Sequence, residues 1–190
     1  CDQPAALAKL IGVIVNDGVS RPAVSVRKIR MAEETPYHTI FDFSPPPDDQ
    51  VIAPPVARAL RLMLQSVVEE GTARRAKGAF TTSDGEIVPI GGKTGTGDNR
   101  LKEVNRSGQV IASKALNRTA TFTFYISDRY FGVITAFVAG SDTRKYNFTS
   151  ALPVSILKLL SPVINAHLTS QSEPEILFEE EMLQKEFSAS

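Results

Sequence analysis

Ile87-Val88-Pro89-Ile90-Gly91-Gly92-Lys93-Thr94-Gly95-Thr96-Gly97-Asp98-Asn99 is the stretch on which the reading of this chain turns. Its first part is short and apolar, the pattern of a buried strand. Its second part sets a cation, hydroxyl donors and bare backbone side by side, a setting for a small anion. Gly92-Lys93-Thr94 matches the end of the phosphate-loop pattern G-x-x-x-x-G-K-[ST]. The match fails at its start, where Ile87 stands in place of the first glycine. It fails again downstream. A phosphate loop opens a helix, so that amide N–H groups and the helix dipole face the anion. Thr94 to Asn99 contains Gly95 and Gly97 and has no apolar periodicity, which makes it a poor helix start.

The chain of 190 residues is long enough for one substantial domain. Its 42% hydrophobic and 22% charged residues exclude a collagen-like or disordered chain. Twenty-one basic residues balance twenty-one acidic ones, so net charge points neither to nucleic acid nor to an anionic membrane. No apolar run of bilayer-spanning length and no signal-peptide pattern is seen, so the chain is expected to carry no address of its own. Cys1 stands alone, which excludes an internal disulfide and a multi-cysteine metal site. It is read as the point where a fragment or processed chain begins, rather than as a lipidated residue. His38 and His167 have no partners at ligand spacing, so no metal and no cofactor is expected.

Outward from the central stretch, Gln3 to Asn16 predicts a helix, with Asp2 as N-cap, Pro4 in the first turn and Asn16-Asp17-Gly18 at the end. Arg21 to Met31 and Tyr37 to Phe43 predict two strands, with Glu33-Glu34-Thr35-Pro36 as their turn. Ser44 to Asp49, with three prolines in a row, predicts a stiff connector. Pro54-Pro55 predicts a helix start, with Val56, Ala59, Leu60, Met63, Leu64, Val67 and Val68 on the inner face. After the central strand, Gly97 to Ser113 is expected to be a loop. Asn117 to Ser127 and Tyr130 to Ala139 complete an antiparallel meander around an Asp128-Arg129 turn, with Phe122, Phe124, Tyr125, Phe131 and Phe137 mostly in the core. Thr149 to His167 predicts a last helix, kinked by Pro162. Asp42, Asp48 and Asp49 read as turn or surface groups, Arg74, Arg75 and Lys77 as a solvated basic face, and Asp98 and Asn99 as loop-shaping residues.

The order of these pieces carries a resemblance. Asn16-Asp17-Gly18 is followed by Arg21-Pro22-Ala23-Val24, a Pro-Pro helix, Gly71-Thr72-Ala73, then Gly91-Gly92-Lys93-Thr94-Gly95-Thr96, two strands and a helix. Lys93-Thr94-Gly95-Thr96 resembles the K-T-G-[ST] element of the penicillin-recognising acyl-serine enzymes. The whole resembles the C-terminal half of a penicillin-binding protein transpeptidase domain, of the type that follows a glycan-polymerising domain. The Gly71-Thr72-Ala73 element is as telling as the K-T-G itself. The resemblance covers residues 3–168, within a transpeptidase part placed at 1–168, and leaves 169–190 as an acidic tail. It implies an α+β fold in which an antiparallel sheet is packed by helices. It also implies an active site at a sheet edge and acyl transfer. A serine attacks the D-Ala–D-Ala bond of a peptidoglycan stem peptide, an amine resolves the acyl-enzyme, and β-lactams acylate the same serine. Location on the periplasmic or extracytoplasmic face of a bacterial inner membrane follows from it, with membrane attachment only through the parent protein.

Under that resemblance Lys93 is a positive charge for the substrate carboxylate and the serine site, and Thr94 and Thr96 offer hydroxyls to the same carboxylate. The Thr96 N–H is the oxyanion-hole candidate, and Gly95 leaves room for substrate backbone. The family's nucleophile motif, S-x-x-K, has two literal matches. Ser25-Val26-Arg27-Lys28 falls on a predicted strand, where positions three apart face opposite sides. Ser155-Ile156-Leu157-Lys158 falls on a helix but after Lys93, whereas the family's nucleophile comes before it. The S-x-N motif is absent. The chain is therefore expected to lack its own acyl-accepting serine and to need an upstream half as partner. A non-catalytic module with the same fold, and part of a serine β-lactamase, are the alternatives.

Overall fold

The computed structural model describes residues 3–30, 40–140 and 145–170. Cys1, Asp2, the expected Glu33–Pro36 turn, His38 and residues 171–190 of the acidic tail lie outside the described residues, while 169 and 170 belong to the last helix rather than to a tail.

Helix α1, Pro4–Val15, has Gln3 rather than the expected Asp2 at its N-cap position, and proline in its first turn, where a missing N–H costs nothing. It ends where Asp17 and Gly18 take positive φ (52° and 89°) and the Gly18 N–H donates to the Val13 carbonyl at 2.8 Å. Two small antiparallel ladders follow: β1 (Val19–Ser20) with β4 (Asp49–Gln50), and β2 (Lys28–Arg30) with β3 (Ile40–Asp42). The strand expected from Arg21 begins only at Lys28. Pro22 cannot donate to a ladder, and Val26 is exposed, so its alternation has no core to serve. The pairing of β1 with β4 has no signal in the sequence.

Helix α2, Pro54–Glu69, starts at the expected Pro-Pro, but its inner face is rotated. Ala57 and Val68 are fully buried, while Val56, Ala59 and Met63 face outward. Arg61 explains the rotation. Its guanidinium lies 5.4 Å over the Tyr125 ring and donates to the Ser127 carbonyl, while the Tyr125 hydroxyl donates to the Arg61 carbonyl at 2.9 Å. The guanidinium makes two of these contacts and the main chain the third, and a cation held over a ring and bonded to a carbonyl takes the inward position ahead of an apolar side chain.

The main sheet is antiparallel, in the order β5 (Ile90–Val104), β6 (Val110–Ile126), β7 (Tyr130–Ala139). Gly97 to Ser113 is not a loop. Both strands run through it, and only residues 105–109 turn, held by the Asn105 side chain accepting from the Ser107 and Gln109 amides. The arm is exposed on both faces, so no polar–apolar alternation marks it, and cross-strand bonds such as Arg100 to Ser113 carry the pairing. A register shift at Asn99/Arg100 separates the arm from the body, and a second at Glu103/Val104 lies at its tip beside the turn.

Alternation along the sheet body decides which helix covers which face. Even-numbered Ile90, Phe122 and Ile126 pack with Val68, Ala73, Ala76, Phe80, Val154 and Leu157. Odd-numbered Tyr125 packs with Ile11, Val15 and Leu64. Phe80, Phe122 and Leu157 are fully buried, each contributing about 1.5–3 kcal/mol of apolar transfer. Phe131 and Phe137 of β7 are exposed instead of core, because β7 is an edge strand with only β6 beside it among the described residues.

Helix α3, Ala151–Ser170, runs on through Pro162. Proline has no N–H for the Lys158 carbonyl four residues back, and the Ser161 hydroxyl donates to that carbonyl instead, at 2.8 Å. By length and composition Ala151–Leu168, at mean hydropathy 1.4, is apolar enough to cross a membrane, contrary to the sequence expectation. Val154 and Leu157 on its inner face are buried in the sheet core, as in a packing helix.

Tyr125 is 1% exposed, and burial pushes its hydroxyl above the ordinary tyrosine value, with the Arg61 charge opposing. The unfolded chain then releases this proton first. Stability is fully present below about pH 10 and falls as pH rises through the folded value. Urea unfolding from pH 8 to 11.5 should show this loss. Tyr125→Phe should flatten it while costing about 1 kcal/mol at neutral pH for the lost hydrogen bond.

Candidate functional site

Strand β5 delivers the Lys93–Thr96 stretch to the edge of the sheet. Two-residue alternation puts Lys93 and Gly95 on one face and Thr94 and Thr96 on the other. On the first face, Lys93, Gly95 and Gly97 stand opposite Thr123, Thr121 and Thr119 of β6. Together with Thr135, Phe137 and the start of α1 they line a groove of about 670 Å³. Lys93 is exposed at one end of it. A side chain added at Gly95 would meet nothing within 4 Å, so the groove is open above the backbone there.

The backbone direction follows from two hydrogen bonds. The Ser127 amide, just past β6, donates to the Pro89 carbonyl at 2.8 Å, so the carbonyls two and four residues on, of Gly91 and Lys93, also point towards β6, and the Thr123 hydroxyl reaches the latter at 3.3 Å. The next carbonyl, of Thr94, therefore points to the open edge, and the Lys93 ammonium donates to it at 2.7 Å. Residues two apart share an edge, so the Thr94 and Thr96 N–H groups face the same side.

On the second face both threonine hydroxyls have partners. Thr94 is 8% exposed, and its hydroxyl lies 2.6 Å from that of Thr72. The Thr96 hydroxyl accepts the Ser150 N–H at 2.8 Å, where the chain enters α3. Each arrangement leaves chemistry in reserve. Thr96 accepts here, so its own O–H remains to donate, and of the two O–H groups in the Thr72–Thr94 pair one bond uses one.

The sequence reading missed the framework around these groups. Arg118 on β6 donates to the Phe148 carbonyl at 2.7 Å, stacks on the Phe148 ring and pairs with Asp98 at 3.5 Å, fixing the segment that presents Ser150. Asp98 is thus an anchoring group, paired also with Arg100 at 3.7 Å. The sequence reads Asp98 as a loop-shaping residue, and nothing in it joins Asp98 to Arg100 or to Arg118, twenty residues on. The literal S-x-x-K matches do not join Lys93. Ser25 lies in an irregular bend rather than a strand, and the Ser155 hydroxyl takes a hydrogen bond from Arg75. Lys77 pairs with Glu69 at 2.7 Å, which raises its pKa chiefly through that hydrogen bond, so the basic stretch is partly neutralised.

The glycines that lead in have a different task from Gly95. A Cβ at Gly91 would strike the Tyr125 ring, and one at Gly92 would strike the Thr123 carbonyl and the Phe122 ring. They let β5 lie flush against β6 where both faces are covered.

The family described as penicillin binding protein transpeptidase domain matches residues 3–129. No curated protein matches the chain. Among solved structures, penicillin binding protein 3 from Mycobacterium tuberculosis in its apo form is similar over 84% of this chain and 34% of that one, at 17% identity and a TM-score of 0.51. The form complexed with aztreonam gives 17% identity and a TM-score of 0.50 over the same shares, 84% and 34%. Penicillin-binding protein 2B from Streptococcus pneumoniae is similar over 87% of this chain and 25% of that one, at 20% identity and a TM-score of 0.51. At these identities the likeness is one of fold, an α+β arrangement of antiparallel sheet and packing helices. The chain spans about a third or less of each of these proteins.

Two alanine substitutions should separate the glycines. Gly92→Ala should destabilise the chain by about 1–3 kcal/mol through overpacking. Gly95→Ala should change stability by less than about 0.5 kcal/mol. Urea denaturation of both variants checks the contrast.

Proposed function

The chain belongs to the penicillin-binding protein transpeptidase family, and on that premise we propose that it forms the Lys-Thr-Gly wall of a peptidoglycan transpeptidase cleft whose serine lies in a separate, upstream part of the domain. One observation carries the reading. Lys93, Gly95 and the Thr96 N–H meet at an open sheet edge, beside a groove with no side chain above Gly95.

Each group then has a task. Substrate backbone lies along β5 at Gly95, which has no Cβ to obstruct it. The terminal carboxylate of a stem peptide meets the Lys93 charge and the reserve O–H of Thr96 or of the Thr72–Thr94 pair. The Thr96 N–H stabilises the oxyanion that forms as the serine attacks, a contribution of about 3 kcal/mol for one well-aimed donor. The acyl-enzyme passes to an amine of a second stem. A β-lactam presents its own carbonyl and carboxylate to the same groups. No step requires a metal or cofactor.

The need for an upstream part is supported by what this chain leaves open. β7 offers a ten-residue strand edge with no partner among the described residues and with Phe131 and Phe137 exposed. The outer face of α3 exposes Leu159 and Val163, at 78% and 61%. Such an edge and such a face call for a covering segment. A cell-wall enzyme of this kind acts outside the cytoplasm, and we assign the parent protein there.

Fluorescent penicillin tests this reading. The 190-residue chain alone should not label, and the complete protein should. Lys93→Ala in the complete protein should lower the labelling rate by about a hundredfold or more. Labelling of the isolated chain, or undiminished labelling of the Lys93→Ala protein, would contradict the assignment.

A further inference from the structure

Gly71-Thr72-Ala73 resists explanation by packing alone. Gly71 is required by space, since a Cβ there would come within 2.8 Å of the Val67 carbonyl oxygen. Ala73 is required by the core, being fully buried with its N–H on the Val67 carbonyl at 3.1 Å. Thr72, between them, is exposed and fills no cavity. Its specific contact is a hydroxyl 2.6 Å from the hydroxyl of Thr94, twenty-two residues on and inside the Lys-Thr-Gly stretch.

We propose that Thr72 is a positioning residue for the cleft wall. Through Thr94 it holds the Gly95–Thr96 backbone at the angle at which its N–H faces the reacting carbonyl. This rests on the transpeptidase reading of the site. The physical need is specific to this strand. β5 is bonded to β6 on one side only, so its outer edge is free to tilt. Thr94 is nearly buried, and without Thr72 its hydroxyl would have to turn towards the cleft to find a partner. Such a turn would rotate the strand segment that carries the oxyanion donor. The bond also orders the two protons. One O–H lies within the pair, and the other is directed outward to donate to a carboxylate.

The test uses three complete proteins, wild type, Thr72→Val and Thr72→Ser, with penicillin binding and limiting acylation rate measured separately. The valine variant keeps the shape and loses the hydroxyl. Its limiting acylation rate should fall about tenfold, the scale of a small misplacement of reacting groups. Its melting temperature should fall by no more than about a few degrees, the cost of one lost hydrogen bond, so that the slower acylation is not a loss of fold. The serine variant should restore the rate to within about twofold. A double variant, Thr72→Val with Thr94→Val, should be no slower than the slower single variant, as for two groups acting as one unit. A second arm needs no chemistry: in the 190-residue chain, amide exchange at Thr94 to Gly97 should quicken in the valine variant and not in the serine one. Wild-type rates in the valine variant, or a serine variant as slow as valine, would overturn the proposal. If the wild-type protein fails to react with penicillin, the transpeptidase reading falls, while the exchange arm still decides whether Thr72 holds the strand.

Discussion

Two hydroxyls tie an edge strand to the segments on either side of it in sequence. Thr94 meets Thr72 at the end of the α2 segment, and Thr96 meets the Ser150 amide at the entry to α3. An edge strand left to itself presents a flexible row of backbone groups, open to any partner. Here the same threonines that turn inward fix the strand, and their alternation partners, Lys93 and Gly95, turn outward to an open groove. The period of two does the rest. A one-residue slip of β5 against β6 would bury Lys93 and expose Thr94. Gly91 and Gly92 oppose that slip, since only glycine fits against Tyr125, Phe122 and the Thr123 carbonyl.

The polar chemistry of the wall therefore rests on the apolar order behind it. Phe122 and Ile126 on β6 are fully or almost fully buried against Phe80, Val154 and Leu157, and they set the height of the sheet. Tyr125, on the opposite face, joins α1 and α2 through its ring and its bond to the Arg61 carbonyl. Exposed ion pairs such as Arg58–Asp17 and Arg21–Asp48 add little to this, because solvent screens them. The Asp98–Arg118 pair differs, being partly buried and joined to Phe148. It sets where α3 begins, and so where Thr96 finds its partner.

The α+β class, the three helices, the central strand and the following hairpin were legible, because each rests on a local signal: proline at a helix start, a glycine stop, apolar periodicity. The Lys93–Thr96 motif and the Gly71-Thr72-Ala73 element were legible as a pair, but not the hydroxyl bond that joins them, which exists only after folding. The long β5–β6 arm was hidden because both its faces are exposed, so polarity does not alternate along it. The phase of α2 was misjudged because Arg61 counts as polar in a periodicity reading, yet packs inward over Tyr125. β1 and β4 are two residues each, too short to leave any pattern.

The central claim is that this chain supplies one wall of an acyl-transfer cleft and another segment supplies the nucleophile. Peptide mapping by mass spectrometry of the complete protein after reaction with a β-lactam tests it most directly. The account predicts one acylated serine, in a peptide outside these 190 residues. An acyl group on Ser25, Ser155 or any other serine of this chain would contradict it.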